Sequence, residues 1–77
     1  MLRFRTVSGA TYLFDADGPR FLRYGPDEHL LIHKDDEWHD VVSFYGIEVG
    51  KCAMFVYACD GRLRVTTEIT EVEGVND

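Results

Sequence analysis

Seventy-seven residues allow one small domain with a modest core. Nine Phe and Tyr residues plus Trp38 exclude a disordered chain. A formal charge of −6 argues against bulk affinity for nucleic acid or an anionic membrane. The charge is uneven. Residues 1–25 carry four Arg against two Asp, whereas residues 26–50 carry Lys34 against seven acids.

In chain order, Leu2–Val7 and Ala10–Asp15 flank Ser8-Gly9 and read as a hairpin, because Gly supplies a positive φ. A two-residue turn there sets Arg5 against Tyr12, Phe4 against Leu13 and Arg3 against Phe14. Directly opposed residues share a face. One face then holds Leu2, Phe4 and Leu13 as core, and the other holds Arg3, Arg5, Tyr12 and Phe14. The stretch from Asp15 to Pro19 is a turn, and Arg20–Tyr24 is a short third strand. Pro26-Asp27-Glu28 suits a helix N-terminus, while His29–His33 fits a strand equally well. Lys34-Asp35-Asp36-Glu37 is a solvated loop, Trp38–Phe44 resumes strand character, and Val49-Gly50-Lys51 marks a bend.

Asp60-Gly61, between AMFVYAC and RLRVTTEITEV, is the strongest hairpin signal in the chain. A two-residue turn pairs Cys59 with Arg62, Tyr57 with Arg64 and Phe55 with Thr66. Met54, Val56, Ala58, Leu63 and Val65 then form a uniformly apolar face, which is the expected core. The opposite face alternates Phe55 and Tyr57 with Arg62 and Arg64. The whole pattern predicts an all-β fold: a small antiparallel SH3-like barrel, or a strongly bent sheet, of five to six short strands. The domain spans residues 1–72, and 73–77 is expected to be a frayed tail.

Both hairpins thus leave a face of aromatics beside arginines. Phe55, Tyr57, Arg62 and Arg64, helped by Arg3, Arg5, Tyr12 and Phe14, are the expected binding surface, since Tyr, Phe and Arg are enriched where proteins meet. Function is therefore expected to be non-enzymatic protein contact, with itself as a homodimer or with another protein, and without a cofactor. Two alternatives use other residues or partners. The same face, with its stacked rings and basic neighbours, has the parts of a nucleic-acid- or nucleotide-binding barrel. His29, His33 and His39, set among six carboxylates, have metal-ligating chemistry, but HLLIH lacks the glutamate of a zinc hydrolase and no thiolate lies nearby. No phosphate loop or nucleophile motif is present.

On one continuous strand Cys52 and Cys59 would stand roughly 23 Å apart, so an internal disulfide is not expected. Reduced thiols, with no signal peptide and no long apolar span, point to the cytoplasm.

RFRTVSGATYLFDADG at residues 3–18, Glu37-Trp38, and Val49-Gly50-Lys51 followed by AMFVYACDGRLRVTTEITEVE carry a resemblance. They resemble short, largely uncharacterised all-β accessory proteins encoded by phages of actinobacteria. Those proteins share a TxSG hairpin, a DGEW-like turn and a VG…dG.xxVT ending. Here DDEW (Asp35 to Trp38) replaces DGEW, and Gly25–Lys34 has no counterpart. The resemblance implies a phage origin and action in the cytoplasm of an infected bacterium. It implies no catalytic activity.

Overall fold

A computed structural model describes residues 1–25 and 35–75. They form six strands: β1 (Leu2–Thr6), β2 (Thr11–Asp15), β3 (Arg20–Tyr24), β4 (His39–Tyr45), β5 (Cys52–Tyr57) and β6 (Leu63–Gly74). Each strand pairs antiparallel with the next, and β6 returns to pair with β1, closing a barrel. The expected all-β barrel is the architecture found. Closure pairs every strand on both sides, although among the described residues β3 and β4 meet over two residue pairs only, Arg20↔Asp40 and Phe21↔His39. The choice between helix and strand over Gly25–Lys34, and with it His29 and His33, lies outside the described residues beyond Gly25.

The loop of the first hairpin begins one residue earlier than the Ser-Gly pair suggests. Thr6 N–H donates to the Ala10 carbonyl at 3.1 Å and Gly9 N–H to the Thr6 carbonyl at 2.9 Å, so Val7-Ser8-Gly9 is a three-residue loop. Gly9 takes φ +88°, the left-handed position that such a loop requires. The register becomes Leu2 against Phe14 and Phe4 against Tyr12. This one-residue slip exchanges partners across the faces. It brings Phe4, Tyr12 and Phe14 together on the buried side, and it breaks the expected Arg/aromatic face of this hairpin.

The second hairpin has a four-residue loop, Ala58-Cys59-Asp60-Gly61. Tyr57 N–H donates to the Arg62 carbonyl and Gly61 N–H to the Tyr57 carbonyl, both at 2.9 Å. Phe55 therefore opposes Arg64, Met54 opposes Val65 and Val56 opposes Leu63. Lengthening the loop by two residues leaves the two faces composed as expected, because side chains alternate with period two. What reverses is the choice of inside. Ala53, Phe55, Tyr57 and Thr66 are buried, while Leu63 and Val65 are 54% and 53% exposed.

The reason lies in volume. A six-stranded barrel must fill its axis with side chains, and the strands contribute rings. Phe55 sits at the centre, with ring centroids 4.4 Å from Phe21, 5.7 Å from Phe14, 6.2 Å from Tyr12 and 6.3 Å from Phe4. Ile69 and Val41 complete the cluster. Val65 and Leu63 would not span that space.

Strand β6 serves both β5 and β1 by bending twice. Between Cys52↔Glu68 and Met54↔Val65 it carries one residue more than β5, and between Thr6↔Ile69 and Arg5↔Glu71 it carries one more than β1. Each bulge kinks the strand and steepens its twist. At the first, Ala53 N–H is taken up by the Thr66 hydroxyl oxygen at 2.9 Å, and Thr66 donates to the Thr67 carbonyl at 2.8 Å. The strand runs beyond the expected end of the domain. Glu73 pairs with Arg3, Gly74 pairs with Leu2, and Val75 N–H donates to the Met1 carbonyl at 2.9 Å. Residues 73–75 are part of the barrel and not a frayed tail.

Candidate functional site

The eight residues expected to make one surface are distributed over two environments. Phe55, Tyr57, Tyr12 and Phe14 are buried in the ring cluster. Arg64 follows them inward because it opposes Phe55, and its Nε–H donates to the Tyr57 hydroxyl at 2.8 Å. Burial pushes the Tyr57 hydroxyl above its ordinary range, against the pull of the guanidinium. Burial also works against the charge on Arg64, but the hydroxyls of Tyr57 and Tyr12 outweigh it and hold the guanidinium above its usual value. Arg64 is thus a structural cation facing the interior.

Arg3, Arg5 and Arg62 remain on the outside, but apart. Arg3 pairs with Glu73 across β1 and β6, and Arg5 lies 3.5 Å from Glu71. Arg62 belongs to the loop, 3.5 Å from Asp60. A continuous aromatic/arginine platform, which both the protein-contact and the nucleic-acid expectations used, is not formed by these eight residues.

Inverting β5 and β6 creates a different feature. Along the outer face of β4, β5 and β6, the register sets Tyr45, Met54 and Val65 in one row and Ser43, Val56 and Leu63 in the next. Val42, the extra residue of a bulge in β4, adds to the second row. Val42, Tyr45, Leu63 and Val65 are each more than half exposed. None of the outward residues in the two rows is charged. Single exposed apolar side chains are ordinary, but a contiguous group marks a contact site. Of these side chains, the sequence shows Met54, Val56, Leu63 and Val65 as an apolar set and assigns them to the core; Val42 and Tyr45 are not part of that set. Their outward direction depends on barrel closure, which brings distant segments together.

A second feature is an open pocket of about 370 Å³ at one end of the barrel, lined by Trp38, His39, Asp40, Tyr57, Ala58 and Cys59. Trp38 carries the Arg20 guanidinium 4.4 Å from its ring centroid, a cation–π contact. The His39 ring stands edge-on to Tyr57 at 5.6 Å and tilted to Phe21 at 5.8 Å. His39 therefore serves as packing at the barrel mouth. Of the three histidines expected as candidate ligands, it alone is among the described residues, and those residues contain no cluster of three or more His, Cys, Asp or Glu side chains suited to a metal. Cys52 and Cys59 are both exposed free thiols, and Cys59 lies in the loop after β5.

Arg23 is a second interior cation among the described residues. Its side chain is almost wholly buried and pairs with Asp35, while the Arg23 carbonyl accepts from Asp36 N–H at 2.8 Å. These contacts tie the DDEW turn to β3, which gives that turn a structural role.

No protein-family model matches the chain, and neither does any curated protein or solved structure. The fold and surface therefore define the class: a small closed antiparallel β-barrel with an apolar outer strip. Among the described residues no helix is long and apolar enough to cross a membrane.

Proposed function

We propose that this chain is a non-enzymatic protein-contact module working through the outer face of β4, β5 and β6. The observation that carries this is the uncharged strip of Val42, Tyr45, Leu63 and Val65, more than half exposed although the same barrel buries the six rings of Phe4, Tyr12, Phe14, Phe21, Phe55 and Tyr57 almost completely. Holding such a strip against water costs free energy at about 25 cal/mol per Å² of apolar surface, and covering it by a partner recovers that cost. The setting, a phage-encoded accessory protein acting in the cytoplasm of an infected bacterium, is supported by the sequence outline alone.

Site-directed photo-crosslinking in the protein's own host tests the face. A benzophenone amino acid at Val65 is expected to give a discrete protein adduct. The same group at Thr70, exposed on another part of β6, is expected to give none. Absence of any adduct at Val65, or equal labelling at both positions, refutes the contact face.

A further inference from the structure

We propose that the occupant of this face is a second copy of the same chain, seated about a two-fold axis running along β5. This rests on the protein-contact reading and names its partner. Area supports it first. The exposed fractions of Val42, Tyr45, Leu63 and Val65 amount to roughly 450 Å², within the range of the largest apolar patch on a monomer. Two copies bring together roughly 900 Å² from these residues, and Met54, Val56 and the polar rim carry the total toward the 1,200 Å² or so at which stable interfaces begin.

Shape supports it next. An axis along β5 lays β4 of one copy over β6 of the other. Tyr45 then faces Val65 and Leu63 faces Ser43, so in both rows a large side chain meets a smaller one. β5 meets itself through Met54 and Val56. Two sheets of similar strand direction pack in this way about 10 Å apart.

Charge supports the same axis. Asp40, exposed one residue before Val41 on β4, and Arg62, exposed just before β6, lie at the same end of the strip. Crossing β4 over β6 brings Arg62 of each copy, which within its own chain lies 3.5 Å from Asp60, to the same end as Asp40 of the other, so each rim gains an opposite-sign neighbour. No charged side chain enters the middle, where desolvation would be costly. Two chains of −6 repel at long range, so added salt is expected to tighten this dimer. Binding to a nucleic acid would weaken instead.

The test is sedimentation equilibrium on the full chain from about 1 to about 300 µM, a range in which an interface of this size populates both states. Wild type is expected to reach a dimer. Leu63→Asp is expected to stay monomeric with an unchanged circular dichroism spectrum. Arg62→Asp alone and Asp40→Arg alone each place like charges together twice and are expected to weaken the dimer about tenfold. Mixing these two variants restores both rim contacts and is expected to recover association as a heterodimer.

A wild-type monomer across the range, or a dimer that survives Leu63→Asp, overturns the second-copy inference. Failure of the mixed pair to recover overturns the axis. The underlying contact reading fails separately: a Val65 crosslink to a different protein preserves it while removing the second copy, and no crosslink removes both.

Discussion

Replacing Phe55 tests the interior most directly. Its ring touches the rings of Phe21, Phe14, Tyr12 and Phe4, and it is fully buried. Phe→Ala in a core costs about 3–5 kcal/mol, and four ring neighbours place Phe55→Ala toward the upper end, since each aromatic pair adds about 0.5–1.5 kcal/mol beyond its area. A chain of this length holds about 4–12 kcal/mol in total. Phe55→Ala is therefore expected to be largely unfolded or to lose half or more of its stability at 25 °C. Phe55→Leu, which keeps most of the volume, is expected to lose about 1–2 kcal/mol, which lowers Tm by about 5–15 °C. Leu63→Asn, on the outer face, is expected to change stability by no more than about 0.5 kcal/mol. The assay is urea denaturation followed by tryptophan fluorescence, at a protein concentration low enough to keep the chain monomeric. If Leu63→Asn costs as much as Phe55→Leu, then β5 and β6 face the other way and the outer strip does not exist.

Two further outcomes follow from the polar groups. Tyr57→Phe removes the hydroxyl that accepts from Arg64, at an expected cost of about 1.5–3 kcal/mol near neutral pH; because burial raises the folded-state pKa of Tyr57, the unfolded chain ionises first, so wild type gives up stability as pH climbs from about 10 toward that raised value. Denaturation at a series of alkaline pH values is therefore expected to show the gap between wild type and Tyr57→Phe narrowing above about 10, and a constant gap contradicts the buried hydroxyl. Thr66→Val keeps the shape but strands Ala53 N–H at the bulge, and a loss of about 1–3 kcal/mol in urea denaturation is expected; a neutral result means the bulge does not depend on that hydroxyl.

Much of the barrel could be read in the chain, because its punctuation is local. Arg20–Tyr24 is a strand with the bounds that the flanking Pro19 and Gly25 imply, and Gly9 and Gly61 do turn the chain at positive φ. Loop length was the less legible quantity. Ser-Gly and Asp-Gly signal a turn but do not count its residues, and the first loop has three where two were expected. That single residue decides whether Phe4 meets Leu13 or Tyr12. The inward direction of Arg64 was hidden for another reason. A guanidinium is tolerated at a barrel interior only where polar oxygens meet it, and for Arg64 one of them comes from Tyr12, on the other hairpin. The outer strip was visible in Met54, Val56, Leu63 and Val65, but a uniformly apolar face reads as core until six rings are seen to occupy the space.

Closure of the barrel by β6 against β1 also sets a pace. Arg3 and Glu73 are neighbours across that seam although nearly the whole chain separates them in sequence, so the last ladder to be synthesised is the one that seals the first strand. Loop-closure entropy must be met before such pairing returns anything, and topologies of this kind fold in milliseconds to seconds where local ones take microseconds. Until β6 leaves the ribosome, β1 stands as an open edge with Phe4 beside it. During synthesis, that seam is the site where a chaperone or a neighbouring nascent chain has its opportunity.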